Sequence, residues 1–316
     1  MSWKKALTIG TLLTGATAVG IHLLNKAIYL SAVAEHLLKP SAETYYDWKF
    51  GKVYYTKRGE GAPLLLIHDL NTYSSGYEWH ALTEKLAKKR TVYTLDLIGC
   101  GRSEKPNLTY TNYLYVQLIN DFIKNVVKDS CDVVATGDSC PLVLGACQSG
   151  ESSIKSISMI NPEDIHKVAH IPTYRSRILT KLILLPLAGT LLYNILMRKE
   201  NIETALKGAF FDKNKIRQSL VQTYYETAHC GNTSSKYLFS SICGNYLTAN
   251  VMLYLKDLSN SIYIITGCDE KKQNDAEEYK KVLPSVEIFH LEESGYYPQL
   301  ETPDALLEQL SICLDL

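Results

Sequence analysis

The chain has 316 residues, 46% of them hydrophobic and 21% charged, with Lys and Arg matched by Asp and Glu at 33 each, so its formal net charge is zero. That composition excludes a disordered polymer and gives no electrostatic footing for nucleic acid, and the length suits one sizeable core with an insertion. The eight cysteines (positions 100, 131, 140, 147, 230, 243, 268 and 313) form no CxxC pair, and several lie in apolar runs, a usage that fits a reducing compartment. Scattered histidines without an HExxH leave no metal site, and no cofactor is expected.

Residues 6–24 carry no formal charge. As a helix rising about 1.5 Å per residue they would span about 28 Å, near the thickness of a bilayer core. The simplest expectation is an N-terminal membrane anchor over residues 1–30, touching lipid through 6–24, followed by a linker over 31–49. Two other readings stay open: a cleaved signal peptide, with Lys4 and Lys5 ahead of the apolar run and Ala16-Thr17-Ala18 inside it, and a packed helix that never crosses. Lys26 and Lys39 balance Lys4 and Lys5, so charge does not set the orientation, while the cysteine usage points the globular part to the cytoplasm.

Lys52-Val-Tyr-Tyr-Thr56 reads as a first strand and Gly59-Glu-Gly-Ala-Pro63 as the turn into the next. Strands then alternate with helical periods, the pattern of a parallel sheet covered on both faces. Trp79, Leu82, Leu86 and Ala87 recur at helical spacing before a strand around Val92, and Leu118, Ile119, Phe122, Ile123 and Val126 do so before Asp132-Val-Val-Ala135. A strand over 154–160 ends at Asn161-Pro162, and the strand pattern resumes only at Ile262. The intervening block, 163–257, is too long for a crossover and reads as helical over 178–197, 202–211, 216–227 and 246–255. The apolar stretch 178–197 is interrupted by Lys181, Pro186 and Gly189, so a kinked helix packed on the core is favoured over a second membrane span.

Five segments carry the chemistry: Pro63-Leu-Leu-Leu-Ile-His68-Asp69-Leu70, Asp96-Leu-Ile-Gly99-Cys-Gly101-Arg102-Ser103, Gly137-Asp138-Ser139-Cys140-Pro141, Gly267-Cys-Asp269-Glu270 and Gly295-Tyr296-Tyr297-Pro298. Together they resemble the α/β-hydrolase superfamily, in its ester-hydrolase and haloperoxidase-like branch, over roughly residues 50–316. The resemblance implies a doubly wound, mostly parallel sheet, a core over 50–162 and 258–316, and a helical cap over 163–257 that selects the substrate. It also implies Ser139 as nucleophile on the strand-to-helix turn, with the backbone N–H groups of Leu70 and Cys140 as oxyanion hole. The acid would be Asp269 or Glu270, with Glu163 and Asp164 as a further source, and His68 and Asp69 would line the pocket.

The base is where the chain departs from the family. The histidine slot of the Gly-His-x-Pro pattern holds Tyr296, a phenol whose ordinary pKa near 10 leaves it protonated at neutral pH. Asp69 stands where the family has glycine, placing a carboxylate beside an oxyanion hole, and Pro141 replaces a small flank of the turn. Two functions of different classes remain. One is a fold that binds a small apolar or lipid-like ligand, or a protein partner, at a membrane without turnover. The other is a serine hydrolase acting on an apolar ester with an unusual base.

Overall fold

The computed structural model describes residues 3–38, 44–150 and 153–315, with side chains described from residue 17 onward. Eight strands form one sheet in the order β1-β2-β4-β3-β5-β6-β7-β8: β1 Tyr45–Trp48, β2 Gly51–Arg58, β3 Pro63–Ile67, β4 Thr91–Leu95, β5 Cys131–Thr136, β6 Ile154–Ile160, β7 Ser261–Thr266 and β8 Glu287–His290. β1 and β2 pair antiparallel, as do β2 and β4, and every pairing from β4 to β8 is parallel. The helices are α1 Trp3–Ala32, α2 His80–Leu86, α3 Asn112–Phe122, α4 Cys140–Gln148, α5 Tyr174–Leu184, α6 Ala188–Leu196, α7 Lys199–Ala209, α8 Gln218–His229, α9 Lys236–Cys243, α10 Val251–Lys256, α11 Glu270–Val282, α12 Pro298–Glu301 and α13 Pro303–Cys313.

The central strands are apolar on both faces because helices cover both faces. Leu65, Ile67, Val133 and Ala135 point into one core with Phe122, Leu144 and Ile264, whereas Leu64, Leu66 and Val134 point into the other with Trp79, Leu82 and Leu306. The chain leaves β3 for β4 on one side and returns through β5 on the other, so the strand order reverses between β3 and β5. That reversal opens a crevice at their carboxyl ends, where ligands of such sheets bind.

Three expectations are corrected. The expected linker over 31–49 ends in β1, whose Trp48 indole donates to Asp121 Oδ2 at 2.7 Å, so the sheet starts a strand earlier than Lys52. The cap helix expected over 246–255 begins only at Val251, and α9 was not foreseen. The stretch 178–197 is two helices, α5 and α6, set at 106° around Leu185-Pro186-Leu187, where proline and a Leu187 φ of 55° end the first.

The expected membrane anchor falls within α1, and residues 6–16 of it lie outside the described side chains. Beyond them α1 packs on the cap. Asn25 Nδ2 donates to the Leu187 carbonyl at 3.1 Å, and Asn194 Nδ2 donates to Asn25 Oδ1 at 2.9 Å. Just after the helix, the Leu37 and Leu38 N–H groups donate to the Glu226 carboxylate at 2.8 and 3.1 Å. Among the described residues no single helix is long and apolar enough to cross a membrane.

Candidate active site

The turn between β5 and α4 bends sharply at Gly137, whose φ is +57°, and the backbone is already helical at Ser139 with φ −83° and ψ −17°. A left-handed residue between a strand and a helix carries its side chain out of both, which is how such a turn presents a nucleophile. In this chain that residue is Gly137, two positions before the serine expected there. A Cβ on Gly137 would overlap the Tyr296 hydroxyl and Asp69 Oδ1, so two other side chains occupy the space.

Ser139 instead points inward. It is fully buried, and its Oγ donates to the His68 carbonyl at 2.6 Å, tying the first turn of α4 to the end of β3. No imidazole nitrogen bonds to it among the described residues. Cys140 is equally buried, its Sγ directed at the Ala135 carbonyl, and burial pushes its thiol well above the usual range. The expected oxyanion donor Leu70 is buried beside the crevice. His68 is locked in place, with Nδ1 hydrogen-bonded to the Asp69 carbonyl at 2.7 Å and Nε2 accepting the Leu97 N–H at 3.0 Å. Burial holds this imidazole down to about 4, so it stays neutral.

Asp69 fills the crevice. Its Oδ1 accepts the Asp138 N–H at 2.9 Å, its Oδ2 accepts the Tyr297 hydroxyl at 3.0 Å, and its own N–H donates to Glu78 Oε2 at 3.1 Å. The Asp138 N–H follows the apex of the turn, the position from which an oxyanion hole donates. Burial, followed by the charge of Asp138, raises the Asp69 carboxyl, and burial, followed by Asp69, raises Glu78.

Tyr296 places its hydroxyl above Gly137. Its backbone N–H donates to the Ala209 carbonyl at 2.6 Å and its carbonyl accepts Asn161 Nδ2 at 2.9 Å, so cap and core hold it from both sides. Burial drives the phenol well above 10, and the nearby Asp69 and Asp138 add to that. Asp269 caps the N-terminus of α11 by accepting the Lys271 N–H at 2.9 Å, and Glu270 begins that helix; both are exposed, Asp269 in the wall of the pit it shares with Tyr296, and no hydrogen bond joins either to Tyr296. The other sequence candidate, Glu163, is paired with Lys167 and with Lys272 at 3.1 Å, and those cations outweigh its burial to hold it down to about 2. Its neighbour Asp164 accepts the His166 N–H in a local turn.

Sequence reasoning missed Gly137, Asp138, Tyr297 and Lys272, whose ammonium lies 5.4 Å from the Tyr296 ring. The available signal was the run Ala135-Thr136-Gly137-Asp138-Ser139, which also fits small-x-apex-x-small with glycine at the apex. Over these residues lies a pit of about 290 Å³, walled by Asp69, Asp138, Tyr73, Tyr296 and Lys272 and roofed by Leu206 and Ala209 of α7. A second cleft of about 210 Å³ adjoins it at Asp138, walled by Leu70, Val168, Ile242 and Leu247. Among the described residues no group of three or more His, Cys, Asp or Glu side chains is arranged to hold a metal ion.

A parallel sheet with its crevice at the β3 and β5 ends, a sharp turn into α4 and a helical insertion after β6 define the architecture of the α/β hydrolases. The chain belongs to that family: residues 64–309 match the model described as "Alpha/beta hydrolase family". A 2-hydroxy-6-oxo-6-(2'-aminophenyl)hexa-2,4-dienoic acid hydrolase of Metapseudomonas resinovorans is 30% identical over 104 residues, covering 32% of this chain and 34% of the relative. The chain thus spans about a third of the length of that relative. A proline iminopeptidase of Heyndrickxia coagulans is 23% identical over 282 residues, 84% of this chain and 96% of the relative. Among solved structures, a serine hydrolase involved in carbazole degradation superposes with a TM-score of 0.72 at 15% identity, over 87% of this chain and 98% of that one. A bacterial membrane phospholipase A superposes with a TM-score of 0.69 at 16% identity, over 98% of both chains.

Proposed function

We propose that this α/β-hydrolase family member binds a small ligand above Gly137 without acyl transfer, held at a membrane through its N-terminal segment, with the globular part facing the cytoplasm. Gly137 carries the reading: the turn that would present a nucleophile has no side chain to present. The surroundings support it. The Asp69 side chain takes the Asp138 N–H that a developing oxyanion would need. The Tyr296 phenol, raised by burial, is no general base at neutral pH. The 210 Å³ cleft beside the pit, where Leu70, Val168, Ile242 and Leu247 share the lining with Glu163, Lys167 and His170, favours a lipid-like ligand with an apolar body and a polar end.

The hydrolase relatives favour a second reading, a serine ester hydrolase acting through Ser139 with Asp269 or Glu270 as acid. It requires Ser139 Oγ to leave the His68 carbonyl and turn outward from a helical position. A fluorophosphonate probe separates the two. On the first reading the native chain is silent and a Gly137→Ser, Tyr296→His, Asp69→Gly variant gains labelling. Labelling of the native chain that disappears in Ser139→Ala would overturn that reading and establish a hydrolase.

A further inference from the structure

Charge is distributed unevenly along this neutral chain. Residues 1–34 and 165–199 hold nine of the 33 Lys and Arg and none of the 33 Asp and Glu, leaving 24 cations against 33 anions elsewhere. The fold brings the two acid-free segments together, because α1 lies against α6 and is tied to it through Asn25, Leu187 and Asn194. The joined surface also exposes several large aliphatic side chains. Ile178, Leu182 and Leu185 at the α5 corner and Ile195 on α6 are 42 to 52% exposed, and Leu23 and Leu30 on α1 are 58 and 54% exposed. Arg175, Arg177 and Lys181 stand among them on α5. Between α1 and the corner runs a groove of about 740 Å³, lined by His22, Lys26 and Lys236 and by no carboxylate.

Exposed aliphatic side chains interleaved with cations, on helices from which every anion is missing, match a surface that is apolar within and negative at its rim. A water-facing helix pair would carry both signs of charge, and a patch this apolar is a contact surface. Helices of this composition lie in the plane of a bilayer interface, with basic side chains at the headgroups and aliphatic ones in the acyl boundary. The bend of 106° between α5 and α6 suits lying in that plane rather than crossing it.

We propose that the α5–α6 corner and the second half of α1 form one docking face for an anionic phospholipid bilayer, with the groove at Lys26 receiving headgroups. The proposal deepens the membrane attachment inferred above and is independent of the state of the pit. The cap then sits against the membrane as a second contact beside the N-terminal segment, and two contacts give firmer attachment than one.

The test is sedimentation of the full chain with vesicles of phosphatidylcholine alone or mixed with phosphatidylglycerol. The native protein is compared with Arg175→Glu, Arg177→Glu, Lys181→Glu and with Ile178→Ser, Leu182→Ser, Ile195→Ser, and thermal melts confirm that each variant folds. The native chain is expected to prefer anionic vesicles. The charge variant should lose that preference, by roughly fivefold per altered residue, and the serine variant should bind both vesicle types more weakly. Folded variants that bind like the native chain would overturn cap docking while leaving N-terminal attachment intact. Native binding that ignores phosphatidylglycerol would overturn the anionic face, and a native chain that binds no vesicle would sink both. Self-association without lipid, abolished in the serine variant, would assign the face to a second copy and also overturn the proposal.

Discussion

Asp69 Oδ1 accepts the backbone N–H of Asp138 at 2.9 Å, so the protein's own carboxylate sits in the recess that α/β hydrolases keep open for the oxygen of a substrate. This one hydrogen bond ties the end of β3 to the turn at Gly137.

The burial of this carboxyl, which outweighs the bond, gives stability a pH dependence. Burial raises Asp69 to about 7 and Glu78 to about 8, well above the ordinary carboxylate range. Between the unfolded and folded values the folded chain holds more protons, so this stabilising contribution is complete below the unfolded values and is lost as pH rises through the folded ones. The low-lying His68 opposes the trend only weakly, because its unfolded imidazole sheds its remaining charge by about pH 7.5 while the folded one is already neutral. Denaturant titrations from pH 6.5 to 8.5 should show stability falling by of the order of 1 to 3 kcal/mol, with a shallower slope for Asp69→Asn. Equal stability at both ends would refute the assignment.

Gly137→Ala puts a Cβ on a left-handed residue and into the Tyr296 hydroxyl and the Asp69 carboxylate. Backbone strain alone costs about 1 to 3 kcal/mol. In a Tyr296→Ala background the overlap is partly relieved, so the two changes should couple favourably by more than about 0.5 kcal/mol. Additive melting shifts would place the Tyr296 side chain elsewhere.

Ser139→Ala removes the donor to the buried His68 carbonyl and should cost about 1 to 2 kcal/mol, with ligand binding at the pit unchanged. A loss of binding with no loss of stability would contradict an inward-facing serine.

Arg102→Ala tests the turn after β4. Arg102 Nε and Nη2 reach the two oxygens of Asp96 at 2.7 and 2.8 Å, and Asp96 is fully buried. Leaving that carboxylate unpaired should destabilise the chain by about 3 to 5 kcal/mol, and Asp96→Asn in the same background should recover part of it. The glycines at 99 and 101 thus serve a structural turn built around this pair, with φ of 90° and 47°.

The sheet and the order of its crossovers were legible because buried parallel strands are continuous apolar runs, as in Pro63-Leu-Leu-Leu-Ile67, and helices between them repeat every three to four residues. The apex of the turn was not. Ala135-Thr136-Gly137-Asp138-Ser139 offers two small-flanked registers, and only the length of β5, ending at Thr136, selects glycine. A serine among small residues drew attention that the backbone gives to its neighbour two places earlier. β1 was missed because four residues rich in tyrosine carry little periodicity, and the break inside the cap was placed by Pro186 but not its angle.

Glu301 has a consequence for how anything reaches the pit. Its carboxylate accepts the N–H groups of Phe211 and Asp212 from the cap and of Gly295 from the loop bearing Tyr296, at 2.6 to 3.2 Å. The Tyr296 N–H to Ala209 bond adds a fourth stitch at the same seam. A cap that swung open there would strand a carboxylate and several amides together. This seam is a weld rather than a hinge: if the pit takes a ligand, loosening the roof to admit it would weaken the fold.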